Sequence, residues 1–343
     1  MKVSIVRKPR MGRRFGVLFL FAGIFFGEGS GQCQPWIEHA PLHLPRLEGW
    51  AAPYGDGLIV VGGFIANATQ GFVATDSVER YDAKEDRWTD LAPFPADPAL
   101  THIGLACASQ TLYAVGGLDR SFNPSSQAHL FNATQSLWEP IPNLPQPRGA
   151  FGISVLEGLI YCSGGFPPET RGRDFARYDP EAGMWETLPP LPRSRESHVA
   201  LALDGKIYLF GGRVRSLTRF VVETDVFDPG TMQWSQAKSI PTPRGGLAGA
   251  VLAGRAYLFG GEGSISPDRP QGVYPEVEEY DPKTDAWRLV SRMPHPRHGM
   301  AAVTLGNRIF LPGGGAGVGF TVSSTMDSFA PPPFSGLSGW RLD

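Results

Sequence analysis

Residues 197–244 read SHVALALDGKIYLFGGRVRSLTRFVVETDVFDPGTMQWSQAKSIPTPR. Two apolar runs, SHVALAL and KIYLF, flank the pair Asp204-Gly205, which is the turn chemistry of a tight hairpin. The second run ends on Gly211-Gly212. A longer loop then leads to Phe227-Asp228, and six residues separate that aromatic residue from Trp234. The tryptophan opens a further short run, which a Pro-rich segment closes at Arg244. The stretch is therefore expected to form four short antiparallel strands. One such sheet cannot bury both of its faces alone, whereas a ring of sheets can.

The same unit recurs along the chain. Gly-Gly pairs stand at Gly62-Gly63, Gly116-Gly117, Gly164-Gly165, Gly211-Gly212, Gly260-Gly261 and Gly313-Gly314, at spacings of 54, 48, 47, 49 and 53 residues. Each ends a β-like run: LIVVGG, LYAVGG, IYCSGG, IYLFGG, AYLFGG, IFLPGG. Five aromatic-polar pairs precede a tryptophan at one fixed distance: Tyr81-Asp82 and Trp88, Phe131-Asn132 and Trp138, Tyr178-Asp179 and Trp185, Phe227-Asp228 and Trp234, Tyr280-Asp281 and Trp287. The sixth unit has Phe329 in the aromatic slot and a proline run, Pro331 to Pro333, where the tryptophan strand should follow. The missing strand stands at the other end of the chain. Trp36 opens WIEHAPLHLPR, which has the form of WETLPPLPRSR from Trp185. A period near 50 residues, six times over, predicts an all-β, six-bladed β-propeller whose ring is closed by the N-terminal strand around Trp36.

The pattern of Gly-Gly, Tyr-Asp and a spaced Trp resembles kelch repeats, and the resemblance covers residues 36–330. It implies the propeller fold. It does not imply one function, because kelch propellers serve as substrate receptors, actin binders, sugar-processing enzymes and oxidase domains.

Composition agrees with an all-β chain. Of 343 residues, 43 are Gly and 32 Pro, too many punctuators for helices, and 42% are hydrophobic, enough for a sizeable core. Residues 1–31 hold six basic side chains against Glu28 alone. The rest keeps 25 basic and 32 acidic residues, a net of −7, which argues against a nucleic-acid binder. Phe15 to Phe26 is an apolar run of 12 residues, within the ~7–15 of a secretory signal and short of the ~20 that span a bilayer. The expected organisation is a signal peptide at 1–31, a mature start at Gln32, the propeller at 32–334 and a tail at 335–343. The expected location is secreted or periplasmic, with membrane attachment only through lipidation of Cys33 or retention of the N-terminal segment. The three cysteines of the mature chain cannot all pair within it. Cys107 and Cys162 lie in apolar strand patterns and read as small buried hydrophobes.

Repetition separates scaffold from specificity. Residues present in every blade are assigned to structure. Arginines also recur, at Arg46, Arg148, Arg195, Arg244 and Arg297, each after a Pro-rich segment, with Ala96-Asp97-Pro98 in place of the sixth. They read in two ways: as a cationic ring around the channel mouth, or as pins for their own loops through backbone carbonyls. Residues that break the repeat are better candidates for function. Directly after Gly-Gly come Phe64, Leu118, Phe166, Arg213, Glu262 and Gly315. Arg213 and Glu262 belong to neighbouring blades and are expected to approach each other. Glu196, His198 and His298 lie beside the recurring arginines, and His102 is matched to His198. The expected ligand-binding set is Arg195, Glu196, His198, Arg213, Arg244, Glu262, Arg297 and His298, off-centre in blades four to six. The loops Phe64–Thr75, Arg213–Val222 and Glu262–Pro275 are long enough to contribute.

Chemistry leaves fewer traces. There is no G-x-S-x-G, P-loop, H-E-x-x-H or zinc-spaced Cys/His set, so no metal or cofactor is expected and catalysis has no signature. The leading expectation is an exported, monomeric interaction module for a protein or glycan. The alternative is a carbohydrate-active enzyme, of the sialic-acid epimerase or mutarotase type, on the same face.

Overall fold

The computed structural model describes residues 35–332 except Leu217. The expected signal peptide, the start at Gln32, Cys33 and the tail from residue 335 lie outside the described residues. Six four-stranded antiparallel sheets form the molecule, with one additional two-stranded ribbon. The innermost strands are Trp50–Tyr54, Gly104–Ala108, Gly152–Leu156, Val199–Leu203, Ala248–Leu252 and Val303–Leu305. Each contacts its counterparts in the two adjacent blades, and the sixth contacts the first, so the six sheets close around a central channel. This is the expected six-bladed β-propeller.

The repeated residues explain the blade. In blade 4, Lys206–Phe210 is sandwiched between Val199–Leu203 and Thr224–Asp228, and Gln233–Ala237 forms the outer edge. The aromatic residue and the tryptophan of each unit are direct cross-strand partners, as in Phe227↔Trp234 and Tyr81↔Trp88. Their ring centroids lie 5.1 Å apart in both cases. Such pairs stabilise a sheet by roughly 0.2–1 kcal/mol relative to a pair of alanines. The polar member caps the following turn: Asp228 Oδ1 accepts from the N–H groups of Gly230 and Thr231. The tryptophan indoles then reach the neighbouring blade. Trp185, Trp234 and Trp287 donate to the carbonyls of Pro142, Pro189 and Lys238.

Glycine is required in the Gly-Gly pairs for close approach as well as conformation. Gly260 has φ +55°, and a Cβ there would lie 2.0 Å from the Arg297 carbonyl oxygen. Any side chain would push the junction out of place.

The first and last strands of the described residues meet in blade 6. Trp36–His39 pairs antiparallel with Met326–Phe329, in the register Trp36↔Phe329. The sixth aromatic-tryptophan pair is thereby completed by residues from opposite ends of the sequence, with centroids 5.0 Å apart. The loop expected over Phe64–Thr75 instead folds as a hairpin, Phe64–Asn67 with Gly71–Ala74. The Asn67 side chain caps its turn by accepting from Thr69 and Gln70 N–H. Cys162 is buried and Cys107 half-buried, and both are free thiols.

Candidate functional site

The segment between blades and the loop after each Gly-Gly meet on one face. In all six blades the residue after Gly-Gly forms a two-residue bridge with a junction residue: Leu47↔Phe64, Thr101↔Leu118, Gly149↔Phe166, Glu196↔Arg213, Gly245↔Glu262 and His298↔Gly315. The next junction residue is left-handed every time: Glu48, His102, Ala150, Ser197, Gly246 and Gly299 have φ between 51° and 61°. That geometry turns each N–H onto the preceding blade. Glu48 N–H donates to Gly299 O, His102 to Glu48, Ala150 to His102, Ser197 to Ala150, Gly246 to Ser197 and Gly299 to Gly246, at 2.7–3.3 Å. Six backbone hydrogen bonds thus run head to tail around the axis. Four of the six positions hold residues with a Cβ, which pay for this conformation because the ring fixes it.

The recurring arginines do not line this face. Arg46, Arg148, Arg195, Arg244 and Arg297 are all fully buried inside the blades. Arg297 donates to the carbonyls of Gly313, Leu311 and His295 and to Asp327 at 2.7 Å. Arg46 pairs with Glu79, Arg195 with Asp225, and Arg244 with Glu278. These acids occupy one register position, opposite the residue two before Gly-Gly. Blade 2 lacks both partners and carries His129 there; blade 3 has Arg148 facing Ala176 instead of an acid. The ligand-binding role expected for Arg195, Arg244 and Arg297 is therefore corrected. They pin their own loops, which is why they repeat.

His198 is also corrected. It is buried one position beyond the ring, with Nε2 3.0 Å from Ser163 Oγ. Its counterpart in blade 2 is Ile103; His102 matches Ser197, a ring residue. The shift arises because junction 1–2 lacks the arginine that marks the register elsewhere.

Above the ring lies an open cavity of about 320 Å³. Its charged side brings together Glu196, Arg213, Glu262 and His298 with Glu48 and His102. Arg213 is the hub: its Nε donates to Glu196 Oε1 at 2.9 Å and its Nη1 to Glu262 Oε1. Glu262 Oε2 accepts from Gly319 N–H at 3.0 Å and lies 3.4 Å from His298 Nε2. The opposite side is apolar, with Leu118, Phe122, Phe166 and Phe320. Phe122 packs 6.2 Å from Phe166 and 6.4 Å from Phe320, and Phe64 supports both Phe122 and Phe320 from behind. Phe320 is 49% exposed, so a large aromatic ring stands half in solvent at the cavity mouth.

Burial acts differently on the two sides of the charge cluster. It pushes the Glu48 carboxyl up to about 7, against the pull of His298 and Arg213. It pushes the His102 imidazole down to about 4. For Glu262 burial also works upward, but His298, Arg213 and the Gly319 N–H outweigh it and hold the carboxyl below its ordinary value. The cavity thus offers one carboxyl on the edge of ionisation and one held charged. As for metals, His295 faces Asp327 and His298 faces Glu262, so the two do not converge. Among the described residues, His43, Glu79 and Asp90 bring ligand atoms within 4.8 Å, but Glu79 is already committed to Arg46.

Sequence reasoning missed Glu48, Phe122 and Phe320. Glu48 was detectable: it stands two residues after Arg46, as Ala150 does after Arg148 and Ser197 after Arg195. Phe122 and Phe320 lie in irregular loops, where no period distinguishes a cavity wall from a surface residue.

A propeller closed by its own termini, with a built cavity over the axis, defines a binding scaffold of the repeat class. The KLHDC2/KLHL20/DRC7 Kelch-repeats domain matches residues 188–314, and the Kelch motif matches residues 147–192. The chain is 31% identical over 329 residues to Kelch-like protein terF of Aspergillus terreus, covering 92% of this chain and 71% of that one. It is 31% identical over 131 residues to mouse Kelch-like protein 35, and 24% identical over 132 residues to Arabidopsis thaliana Kelch repeat-containing protein At3g27220. Those two matches cover 38% of this chain and only 21% and 30% of the relatives. The chain belongs to the kelch-repeat family, whose propellers typically act as protein-interaction modules.

Proposed function

We propose that this chain is an exported, non-catalytic binding propeller that receives a protruding group of its ligand in the cavity above the six-residue ring. The observation that carries the reading is the cavity itself. Its charged cluster and aromatic wall come from side chains that differ from blade to blade. A protein partner is the natural occupant of an open cavity rimmed by an exposed phenylalanine. The carbohydrate-enzyme alternative would draw on the same carboxyls and histidines. It has less support, because the buried arginines leave only Arg213 and Arg215 along the cavity to meet an acidic sugar.

A thermal-shift screen against amines, sugars and acidic metabolites finds a ligand through the stabilisation it confers. Against that ligand, Arg213→Ala and Glu262→Ala are expected to weaken binding about 10- to 100-fold. Glu157→Ala, in an exposed hairpin turn away from this face, should change nothing. Loss in the control with both cavity variants intact would mean the wrong face. Export rests on residues 1–31 and is checked by mass spectrometry of the purified product: a mature N-terminus near Gln32 is expected, and an intact N-terminus on cytoplasmic protein would refute it.

A further inference from the structure

One wall of the cavity sets the Glu48 carboxyl beside the His102 imidazole. Thr101 Oγ1 lies 3.2 Å from the Leu118 carbonyl and 2.8 Å from His102 Nδ1; with the hydroxyl proton on the carbonyl, Nδ1 carries the imidazole proton and Nε2 is left to accept. His102 Nε2 lies 3.5 Å from Glu48 Oε2, beyond an ordinary hydrogen bond. Glu48 is only 7% exposed, yet among the described residues its carboxyl makes no hydrogen bond. The other cavity carboxyls are engaged. Glu196 and Glu262 share Arg213, and Arg215 at the rim is paired with Glu169. Glu48 is the carboxyl left over, and it lines the cavity where an entering donor can reach it.

We propose that the cleft between Glu48 and His102 binds a primary ammonium group carried on an apolar stem; this rests on the cavity being the ligand site. An ammonium has three N–H donors and no lone pair. One donor satisfies the Glu48 carboxylate and a second the His102 Nε2. Three carboxyls against the single central guanidinium favour a cation and repel a carboxylate or phosphate. The stem lies along Phe122, Phe166 and Phe320. Phe122, on the cavity wall, stands 6.1 Å from the His102 ring, so an aromatic ring lies close to the cleft. A hydroxyl brings a single proton and no charge, and cannot serve both acceptors equally. A free aromatic amine and a lysine side chain on a protein partner share this chemistry.

Burial pushes the Glu48 carboxyl up to about 7, so it is part-protonated near neutrality in the free protein. A bound ammonium favours the carboxylate. Amine binding therefore releases a proton and strengthens as pH rises from about 6 to about 8. The groups facing Glu48 are His102, His298, Arg213, Glu196 and Glu262. Of these His102, pushed down to about 4, stays neutral through that window.

The test is calorimetry on the intact protein with 2-phenylethylamine, 2-phenylethanol, 3-phenylpropionate and Nα-acetyl-lysine methylamide. The amine should bind at least ~10-fold tighter than the alcohol, as expected for a charged rather than a neutral hydrogen bond, and tighter at the higher pH. The near-isosteric Glu48→Gln should erase both the preference and the pH dependence. The relative affinities of the two amines identify the source. Equal or tighter binding of the alcohol or the propionate, or no binding of either amine, overturns the proposal in the wild-type protein, whatever the variants do. An amine preference that survives Glu48→Gln but is lost with Phe166→Ala and Phe320→Ala together leaves the cavity standing and removes the cleft. A preference untouched by all these changes removes the cavity itself.

Discussion

A chain shortened to begin at Arg46 is expected to lose its cooperative unfolding transition. The truncation removes the outer strand of blade 6, Trp36–His39, and leaves Met326–Phe329 as a bare edge beside an opened core. It also withdraws the Trp36 indole from a cluster built on Phe259, Met293, Ile309 and Phe329. Trp36 lies 5.0 Å from Phe329 and 6.3 Å from Phe259, and its Nε1 donates to Ser291 Oγ of blade 5 at 2.9 Å. Trp36→Ala alone should cost about 3 kcal/mol, the lower end for a large aromatic because the residue is only partly buried. Against a total stability of roughly 5–15 kcal/mol that is a large fraction. Denaturant unfolding followed by tryptophan fluorescence measures both. Wild-type stability in the shortened chain would show that the ring does not depend on its N-terminal strand.

Arg297→Met should cost about 3–5 kcal/mol, because it leaves Asp327 as a buried charge without its main partner. Arg297 makes four hydrogen bonds, to Gly313, Leu311, His295 and Asp327, and the loss also strands those carbonyls. Arg148→Met is the informative comparison. Arg148 is equally buried but forms no ion pair among the described residues, only a weaker attraction to Asp174, and the hydrogen bond of its guanidinium, to Gly164 O, is 3.4 Å long. Replacing it by an apolar chain of similar length should change stability by less than ~1 kcal/mol, or raise it. The two variants compared by equilibrium unfolding separate a clamp from a ligand site. If Arg297→Met kept full stability and lost only ligand binding, the cationic-ring reading of the arginines would return.

These arginines show where sequence reading reached its limit. Their repetition was visible, and repetition points to scaffold. Whether they pointed into the channel or into the blade was not, because both orientations leave the same residue at the same interval. The acids that decide the matter, Glu79, Asp225, Glu278 and Asp327, lie 30–34 residues downstream of their partners. They become neighbours only when the third strand of the blade packs under its own entry junction. His102 failed for a related reason. Without an arginine in its junction the alignment slipped by one residue, and in a left-handed ring one residue separates a group facing the cavity from one buried between blades.

The number of blades, the four-strand unit and the closure by Trp36 were determined by the sequence alone. Each follows from short-range chemistry repeated at a fixed interval: a two-residue turn, a glycine pair, an aromatic residue opposite a tryptophan. Local signals of that kind are additive, and six copies leave no other count. The pairing of Arg213 with Glu262 was half visible, because both occupy the same repeat position in adjacent blades. The aromatic wall, the leftover carboxyl of Glu48 and the approach of His102 to it were decided by tertiary structure. They come from blades 1, 2, 3 and 6, from loops without period, and only closure of the ring brings them within a few ångströms of one another. The electrostatics follow from the same event: a carboxyl that would be ordinary in the open chain is pushed up to about 7 when the ring removes its water.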